Sequence, residues 1–275
     1  MKLIKPSVTN KKKSAILNYL LEIIYHRVKI NELYARILKK SNYMLLNCTL
    51  KGYLKEPWME TIISCQREIS TLASNPEYVQ FYRDNEIYFW LFIPKWINDD
   101  RKKTKIEKCL DIGCSYGTLA LYCKKICGCD IYCIDFINAY MSKPLFEKFN
   151  LNFAINNIEL DKFPWDVKFD VIILTEVLEH FNFNPVFTLK KIRELLSENG
   201  KFYLSTPNAL YHGKLTKYYS NYSDMPHPQK GLPIFDDHTY IYNSDELLDI
   251  FNRAGLRITR FKETYSHFNF TLIKN

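Results

Sequence analysis

Residues 109–123 read C-L-D-I-G-C-S-Y-G-T-L-A-L-Y-C and predict a short buried strand, a glycine-bearing turn and the start of a helix. An α/β sheet uses this order to present backbone N–H groups and a helix N-terminus to a nucleotide-like ligand. Gly113 lets the chain turn where a Cβ atom would clash, and Gly117 allows close approach of the helix to the strand or of a ligand to the backbone. Asp111 ends the strand, so we expect its carboxylate to face the same crevice.

The spacing of this turn, D-x-G-x-S-x-G, lacks the third glycine of the dinucleotide fingerprint and the G-K-S/T of a phosphate loop. It resembles motif I of the class I S-adenosylmethionine-dependent methyltransferases, D-x-G-x-G-x-G, with Ser115 in place of the middle glycine. Serine is small, so we expect the backbone of the motif to be preserved. Taken alone, an ordinary strand-to-helix turn of an α/β protein is the alternative.

Composition and length favour a folded globular protein. The 275 residues are 47% hydrophobic and 15% aromatic, which is enough material for one large domain or two modest ones and argues against disorder. The longest apolar runs, such as 87–93, are far shorter than a membrane span. The N-terminus lacks the layout of a signal peptide, so we predict an intracellular, cytoplasmic protein.

The net charge of +8 is unevenly distributed. Residues 1–105 carry 19 Lys/Arg against 10 Asp/Glu, whereas the remainder carries 19 against 20. A basic face attracts nucleic acid, anionic lipid or a phosphorylated substrate, and a solvated, lysine-rich helical surface is the alternative.

Six of the eight cysteines lie between residues 109 and 133. Their C-x3-C-x-C-x3-C spacing over 123–133 matches no zinc-binding arrangement. We therefore predict buried thiols rather than metal ligands or disulfides.

The first hundred residues show helical patterns. Apolar residues recur at helical spacing over 14–40, and 58–72 and 77–97 also favour helices. No strand-like alternation precedes residue 106, and the polar run N-D-D-R-K-K-T-K over 98–105 is the best candidate for a boundary. We predict a helical cap on the substrate side over 1–105 and a cofactor-binding domain over 106–275.

After residue 106 the pattern alternates between strands and helices, which indicates βαβ units and a parallel sheet. We predict strands near 107–112, 130–135, 152–156, 169–175, 200–206, 256–262 and 267–273. Helices are predicted near 117–127, 138–149, 184–197 and 244–254. The resemblance implies an α/β fold with a Rossmann-like seven-stranded sheet in which the last strand runs antiparallel.

A second motif strengthens the resemblance. Residues 169–181, F-D-V-I-I-L-T-E-V-L-E-H-F, resemble the fourth strand and following turn of the branch that includes ubiquinone-biosynthesis and sugar O-methyltransferases. The stretch 191–208, which ends in S-T-P-N, and A-G-L at 254–256 follow in the order of that branch. The resemblance covers about 106–262 and leaves 1–105 unassigned.

The resemblance implies S-adenosylmethionine as the cofactor. Asp135 ends the second strand eighteen residues after Gly117, and a carboxylate with two acceptor oxygens suits two ribose hydroxyls, although an N-capping or surface acid is the alternative. Asn157 stands where the family often has an acid near the adenine, and Phe136 is placed to flank the adenine ring. The implied cofactor contacts are Asp111, Gly113, Cys114, Gly117, Asp135, Phe136, Asn157 and Thr175.

Methylation of a hydroxyl requires a base or a metal to remove its proton near pH 7. His180 follows the strand end that should face the methyl group and is the candidate base, with a capping or core histidine as the equal alternative. Glu176 and His238 complete the candidate catalytic residues.

The same residues suggest a metal site. If a helical turn begins at Glu176, then Glu176, Glu179 and His180 share one face, and His238 supplies a fourth ligand. Two carboxylates and two imidazoles suit Mg²⁺ or Mn²⁺. This E-x-x-E-H with a later histidine resembles the metal site of RNA 3′-terminal 2′-O-methyltransferases, but E-V-L-E-H is also typical of metal-free relatives that act on small molecules.

These observations leave three functions open. The first is O-methylation of a hydroxyl on a small molecule or glycan in a biosynthetic pathway, with the long loop 209–240 as a lid. The second is metal-dependent 2′-O-methylation of an RNA 3′ end, for which the basic N-terminal region would follow the phosphates. The third is a non-catalytic binding partner that keeps the fold. The sequence makes no prediction of the oligomeric state.

Overall fold

The computed structural model describes residues 47–72, 76–140, 142–215, 217–264 and 266–275. They belong to one compact unit, Asn42–Asn275. The helix predicted over 14–40 lies outside the described residues. Within them, no helix combines the length and the apolar character needed to cross a membrane.

Seven strands form one sheet in the order β3-β2-β1-β4-β5-β7-β6. They are β1 (Lys108–Ile112), β2 (Asp130–Asp135), β3 (Asn152–Ile155), β4 (Phe169–Thr175), β5 (Leu196–Pro207), β6 (Leu256–Glu263) and β7 (His267–Lys274). Strands β1 to β5 pair in parallel, whereas β7 runs antiparallel to both β5 and β6. The α/β, Rossmann-like prediction is confirmed, including the antiparallel last strand.

Eight α-helices that lie wholly within the described ranges accompany the sheet. They are α1 (Pro57–Leu72), α2 (Arg83–Trp90), α3 (Phe92–Arg101), α4 (Thr118–Cys127), α5 (Lys143–Phe149), α6 (Pro185–Leu195), α7 (Ala209–His212) and α8 (Ser244–Ala254). Helix α5 begins five residues later than predicted, because Pro144 occupies a first-turn position after Ser142. The predicted helix 77–97 is a π-helical turn (Tyr78–Tyr82) followed by α2 and α3.

The alternation of side chains along the strands divides the core into two layers. In β4, Val171 and Ile173 pack into the layer with helices α1, α3 and α4, whereas Ile172 and Leu174 pack into the layer with α6 and α8. Both faces of the sheet are therefore covered, which is why its central strands are continuously apolar.

A buried amide fixes the junction between α2 and α3. The Phe92 backbone N–H, just after the break at Leu91, donates to Asn269 Oδ1 at 3.3 Å, and Asn269 Nδ2 donates to the Phe89 carbonyl at 2.9 Å. Asn269 lies on β7 and is fully buried. The helical segment before residue 105 is thus held directly on the sheet, and the domain boundary near that residue stays a prediction.

The polar run 98–105 is not wholly a linker, because α3 continues through Arg101 and buries Asp100. Asp100 accepts from Lys201 Nζ at 2.6 Å, from the Tyr203 hydroxyl at 2.5 Å and from Arg260. Burial alone would raise the pKa of Asp100, but these hydrogen bonds together lower it below its usual value. One carboxylate therefore ties α3 to β5 and β6.

We predict that Asp100→Asn lowers the free energy of unfolding by about 3 kcal/mol, because the cationic partners stay behind without their counter-charge. Asp99→Asn is the matched control: Asp99 pairs with Lys95 at a half-exposed site and should cost less than about 1 kcal/mol. Since the folded-state pKa of Asp100 is lowered, its contribution is present above the unfolded-state pKa of about 4 and is lost as the pH falls below it. Urea unfolding of both variants from pH 3 to pH 7 tests this, and equal losses would contradict it.

Candidate functional site

A cavity of about 490 Å³ lies at the carboxyl ends of β1, β2 and β4. This volume is in the range of small-molecule and cofactor sites, and the position matches the crevice where α/β sheets bind ligands. Every individual residue predicted above as a catalytic residue, a cofactor contact or a metal ligand lines this cavity.

The glycine turn after β1 forms one wall. Gly113 has φ +69° and donates its N–H to the Ile134 carbonyl at 2.8 Å. A Cβ atom at this position would lie 2.3 Å from Cγ2 of Val177. Ser115, which stands in place of a glycine of the motif, has φ +45° and so adopts the left-handed conformation that glycine favours. The turn therefore keeps the backbone path expected of the motif.

Two buried carboxylates stand beside this turn. Asp135 accepts from the backbone N–H of Ser115 at 3.0 Å and of Ile137 at 3.4 Å. Burial, reinforced by the charge of Asp135, raises the pKa of Asp111 to about 8, so Asp111 is largely protonated at neutral pH. Burial also raises the pKa of Asp135, against the opposing effect of its backbone donors.

The remaining predicted cofactor contacts sit at the same edge. Phe136 is 43% exposed beside Asp135, and Thr175 ends β4. The side-chain oxygen of Asn157 accepts from the backbone N–H of Glu159 at 2.9 Å and of Leu160 at 3.3 Å. Asn157 therefore shapes its own loop, and its amide nitrogen is the group left for a ligand.

The metal prediction assumed that a helical turn begins at Glu176, but Glu176 precedes the turn. It has φ +54°, and the 3₁₀ turn starts two residues later, at Leu178. Its Oε1 accepts from Ser205 Oγ at 2.7 Å, and its Oε2 lies 3.1 Å from Nε2 of His267. Glu176 is thus directed toward Ser205 of β5 and His267 of β7.

Three of the four predicted metal ligands do meet. One ligand atom from each of Glu179, His180 and His238 lies within 4.8 Å of the others. Glu179 is 1% exposed and accepts from Thr206 Oγ1 at 3.0 Å. Burial, with the nearby charge of Glu176, raises the pKa of Glu179 well above its usual value.

The imidazole of His180 has a defined tautomer. Its Nδ1 lies 3.1 Å from the Asp237 carbonyl, which only accepts, so Nδ1 carries the proton and Nε2 carries the lone pair. The His238 ring lies edge-on to it at 4.6 Å between ring centres. Burial, and then the neighbouring His238, lower the pKa of His180.

The loop 209–240 reaches the cavity through residues near both of its ends. Thr239 donates from its backbone N–H to the Glu179 carbonyl at 2.8 Å, which places His238 beside His180. Asn182 donates to the Phe235 carbonyl at 3.2 Å and accepts from the Phe235 N–H at 2.6 Å. This loop contributes residues 234–236 to the wall.

Several residues of the site were not predicted. His267 begins β7 and is 5% exposed, Asn182 anchors the loop, and Glu86 of α2 accepts from Thr118 Oγ1 at 2.9 Å. Burial raises the pKa of Glu86 to about 7, although its hydrogen bonds oppose this. None of the three belongs to a local motif, since each reaches the cavity through long-range packing.

The prediction of buried thiols is confirmed for five of the six cysteines between residues 109 and 133, namely Cys109, Cys114, Cys123, Cys129 and Cys133, whereas Cys127 is half-buried. Burial is the main cause of the raised pKa of Cys109 and Cys133. For Cys114, Cys123 and Cys129, a hydrogen bond to a neighbouring thiol and then burial raise the pKa. The five buried cysteines are packing residues of the first core layer rather than reactive groups.

Comparisons with known proteins agree with this geometry. A family model described as "Methyltransferase domain" matches residues 76–260. A solved S-adenosylmethionine-dependent methyltransferase from Clostridium acetobutylicum ATCC 824 is similar at 13% identity, with a TM-score of 0.52 over 72% of this chain and 99% of that one. The PH0226 protein from Pyrococcus horikoshii OT3 is similar at 15% identity, with a TM-score of 0.52 over 74% and 97%. These structures share the fold. Among curated proteins, none matches the sequence significantly.

We predict that Gly113→Ala destabilises the protein more than Gly128→Ala. Both glycines have a positive φ, +69° and +66°, so both substitutions carry the backbone cost, but only the Gly113 Cβ meets a neighbour. The clash with the stiff Val177 side chain should add about 1–3 kcal/mol. Urea unfolding compares the two variants, and equal free-energy losses would show that the turn has room for a side chain.

Proposed function

Since the chain belongs to the methyltransferase domain family and has the class I S-adenosylmethionine-dependent methyltransferase fold, we propose that it methylates a hydroxyl group of a small molecule or glycan. The observation that carries the proposal is His180, whose Nε2 lone pair is available in a cavity next to the strand end of β4. A neutral imidazole in that position is suited to take a hydroxyl proton.

The residues around the glycine turn after β1 fit S-adenosylmethionine. The turn at Gly113 has no space for a Cβ, and Asp135 offers a carboxylate at the end of β2 where a ribose would bind. Bound there, S-adenosylmethionine supplies a methyl group on a positively charged sulfur. The chain then has to exclude water, align the acceptor and receive its proton.

His180 would receive that proton at Nε2. The Asp237 carbonyl holds the opposite nitrogen as a donor, which fixes the ring and stabilises the charge that forms on it. Because burial and His238 lower the pKa of His180, the ring is neutral at pH 7 and ready to act as a base.

In a second candidate function, His180 would bind a metal ion instead of acting as a base. The meeting of Glu179, His180 and His238 favours a Mg²⁺ or Mn²⁺ site that would bind the acceptor oxygen, as in the RNA 3′-terminal 2′-O-methyltransferases that the motif resembles. Glu176, the fourth ligand of that motif, pairs here with His267 and Ser205 instead. The acceptor of this second candidate is the ribose at an RNA end.

We predict that the protein binds S-adenosylhomocysteine and that Asp135→Ala weakens the binding at least 10-fold, about 1.4 kcal/mol, because the ribose acceptor is lost. Asp130→Ala, at the exposed start of the same strand, is the control and should bind normally. Isothermal titration measures both. An unchanged affinity would remove Asp135 from the site, and a wild-type chain without affinity would favour the non-catalytic interpretation.

We predict that His180→Gln lowers turnover about 100-fold and that a chelator has no effect. Turnover is measured as transfer of labelled methyl from S-adenosylmethionine to a metabolite and glycan extract. The exposed His227, outside the cavity, provides the control variant His227→Gln. Because the pKa of His180 is lowered, wild-type activity should persist below pH 6.5 and fall only as the ring becomes protonated.

The metal-dependent candidate requires the opposite results. Chelation would abolish turnover, Mn²⁺ would restore it, and His238→Ala would weaken Mn²⁺ binding while leaving the affinity for S-adenosylhomocysteine unchanged.

A further inference from the structure

The cavity is lined by many acidic side chains. Among the described residues that line it, seven are Asp or Glu, four are His, and none is Lys or Arg. Phosphate and carboxylate groups are normally bound by Arg, Lys or an array of backbone N–H groups. The lining therefore offers no cationic side chain to an anionic acceptor.

One of these acidic side chains, Glu176, is held in place by hydrogen bonds. Ser205 and His267 hold one oxygen each of Glu176, at 2.7 and 3.1 Å, and the side chain remains 21% exposed beside the strand end. A carboxylate has about four acceptor positions, so two are left for a ligand. Its left-handed backbone conformation at a non-glycine residue is the kind of strain found at binding and catalytic sites.

The registers of the sheet explain the arrangement. Thr175 of β4 aligns with Ser205 of β5, and His267 of β7 aligns with Pro207 of β5. Glu176, the residue after Thr175, is thereby brought beside both donors. The carboxylate is thus fixed before any ligand arrives, which reduces the entropy cost of binding.

The hydroxyl of Tyr116 is a second polar group of the cavity wall. Tyr116 is 3% exposed, and its hydroxyl has no hydrogen bond among the described residues. Its ring lies 5.2 Å from the Tyr82 ring and 5.4 Å from the Tyr140 ring, all three in the cavity wall. Aromatic faces bind apolar ring surfaces and cations, and they do not favour anions.

We propose that the methyl acceptor is a neutral or cationic compound, without phosphate or carboxylate, and that one of its hydroxyl or ammonium groups donates to Glu176. This inference rests on the proposed function and specifies its substrate class. A negative group next to Glu176 would be repelled and would find no Lys or Arg among the described residues of the lining, so an anionic analogue should bind at least 10-fold more weakly.

The test begins by separating a metabolite and glycan extract on an anion exchanger. The full chain and labelled S-adenosylmethionine are then offered the unretained fraction, the retained fraction and total small RNA separately. We expect label in the unretained fraction. Label confined to the retained fraction overturns the inference and leaves the proposed methylation of a small molecule or glycan standing. Label confined to RNA overturns both and favours the second candidate function. Label in no pool contradicts the proposed function and the inference with it.

The role of Glu176 is tested with the active fraction. Glu176→Gln keeps the shape of the side chain and should raise the amount of the acceptor fraction needed for half-maximal rate at least 10-fold, while half-saturating S-adenosylmethionine stays within 2-fold. Glu147→Gln, on the exposed side of α5, is the matched control. A wild-type acceptor dependence in Glu176→Gln overturns the role of Glu176.

His267→Gln provides a second variant if Glu176→Gln does not fold. His267 acts through Glu176, so its loss should also raise the acceptor requirement without changing that for S-adenosylmethionine. A fall in maximal rate with an unchanged acceptor requirement would overturn this positioning role.

Discussion

The parallel pairing of β1 with β2 on one side and with β4 on the other is the constraint on which the site depends. Ile112 aligns with Ile134 in β2 and with Leu174 in β4. The residues that follow these three, Gly113, Asp135 and Thr175, must therefore emerge at one edge of the sheet. These three residues therefore reach the site directly from the sheet, whereas the residues of the segment 209–240 are brought there by a loop.

Burying several carboxylates in one cavity is energetically unfavourable. Protonation and hydrogen bonding reduce this free-energy cost. Asp111, Glu86 and Glu159 all have pKa values raised to between about 7 and 8, with burial as the main cause. Protonation relieves their mutual repulsion, but a protonated carboxyl supplies no positive charge. An acid-rich lining of this kind is tolerant of cations and neutral donors, and it remains a poor environment for anions.

The sequence was most informative where the determinants are local. Strands β2 and β4 and helix α8 have the predicted bounds, because apolar runs end there at glycine, asparagine or a charged residue. The turn at Gly113 was predicted because its backbone conformation demands glycine. Local patterns also misled: spacing suggested a helical turn from Glu176, yet Ser205 and His267 hold that residue in a left-handed conformation.

The features that the sequence did not predict depend on contacts between residues that are far apart along the chain. Asn269 accepts a hydrogen bond from the N–H of Phe92, about 180 positions away along the chain, at the point where the predicted helix 77–97 is interrupted. His267 has no motif around it, and only the antiparallel pairing of β7 with β5 brings it to Glu176. Contacts between residues so far apart are set by the sheet topology, and the residues themselves carry no periodic signal for them.

The raised pKa of Glu179 separates the two candidate functions in physical terms. Burial and the nearby charge of Glu176 raise the pKa of this carboxyl well above its usual value, and Thr206 supplies a hydrogen bond. A metal ion would require Glu179 to lose its proton, so metal binding would release a proton and strengthen as the pH rises. A histidine base has no such requirement and needs only a neutral His180. Burial, and then the carboxylate of Glu176, raise the pKa of Glu179. The position of Glu176, which Ser205 and His267 contact, therefore influences which chemistry the neighbouring histidines can support.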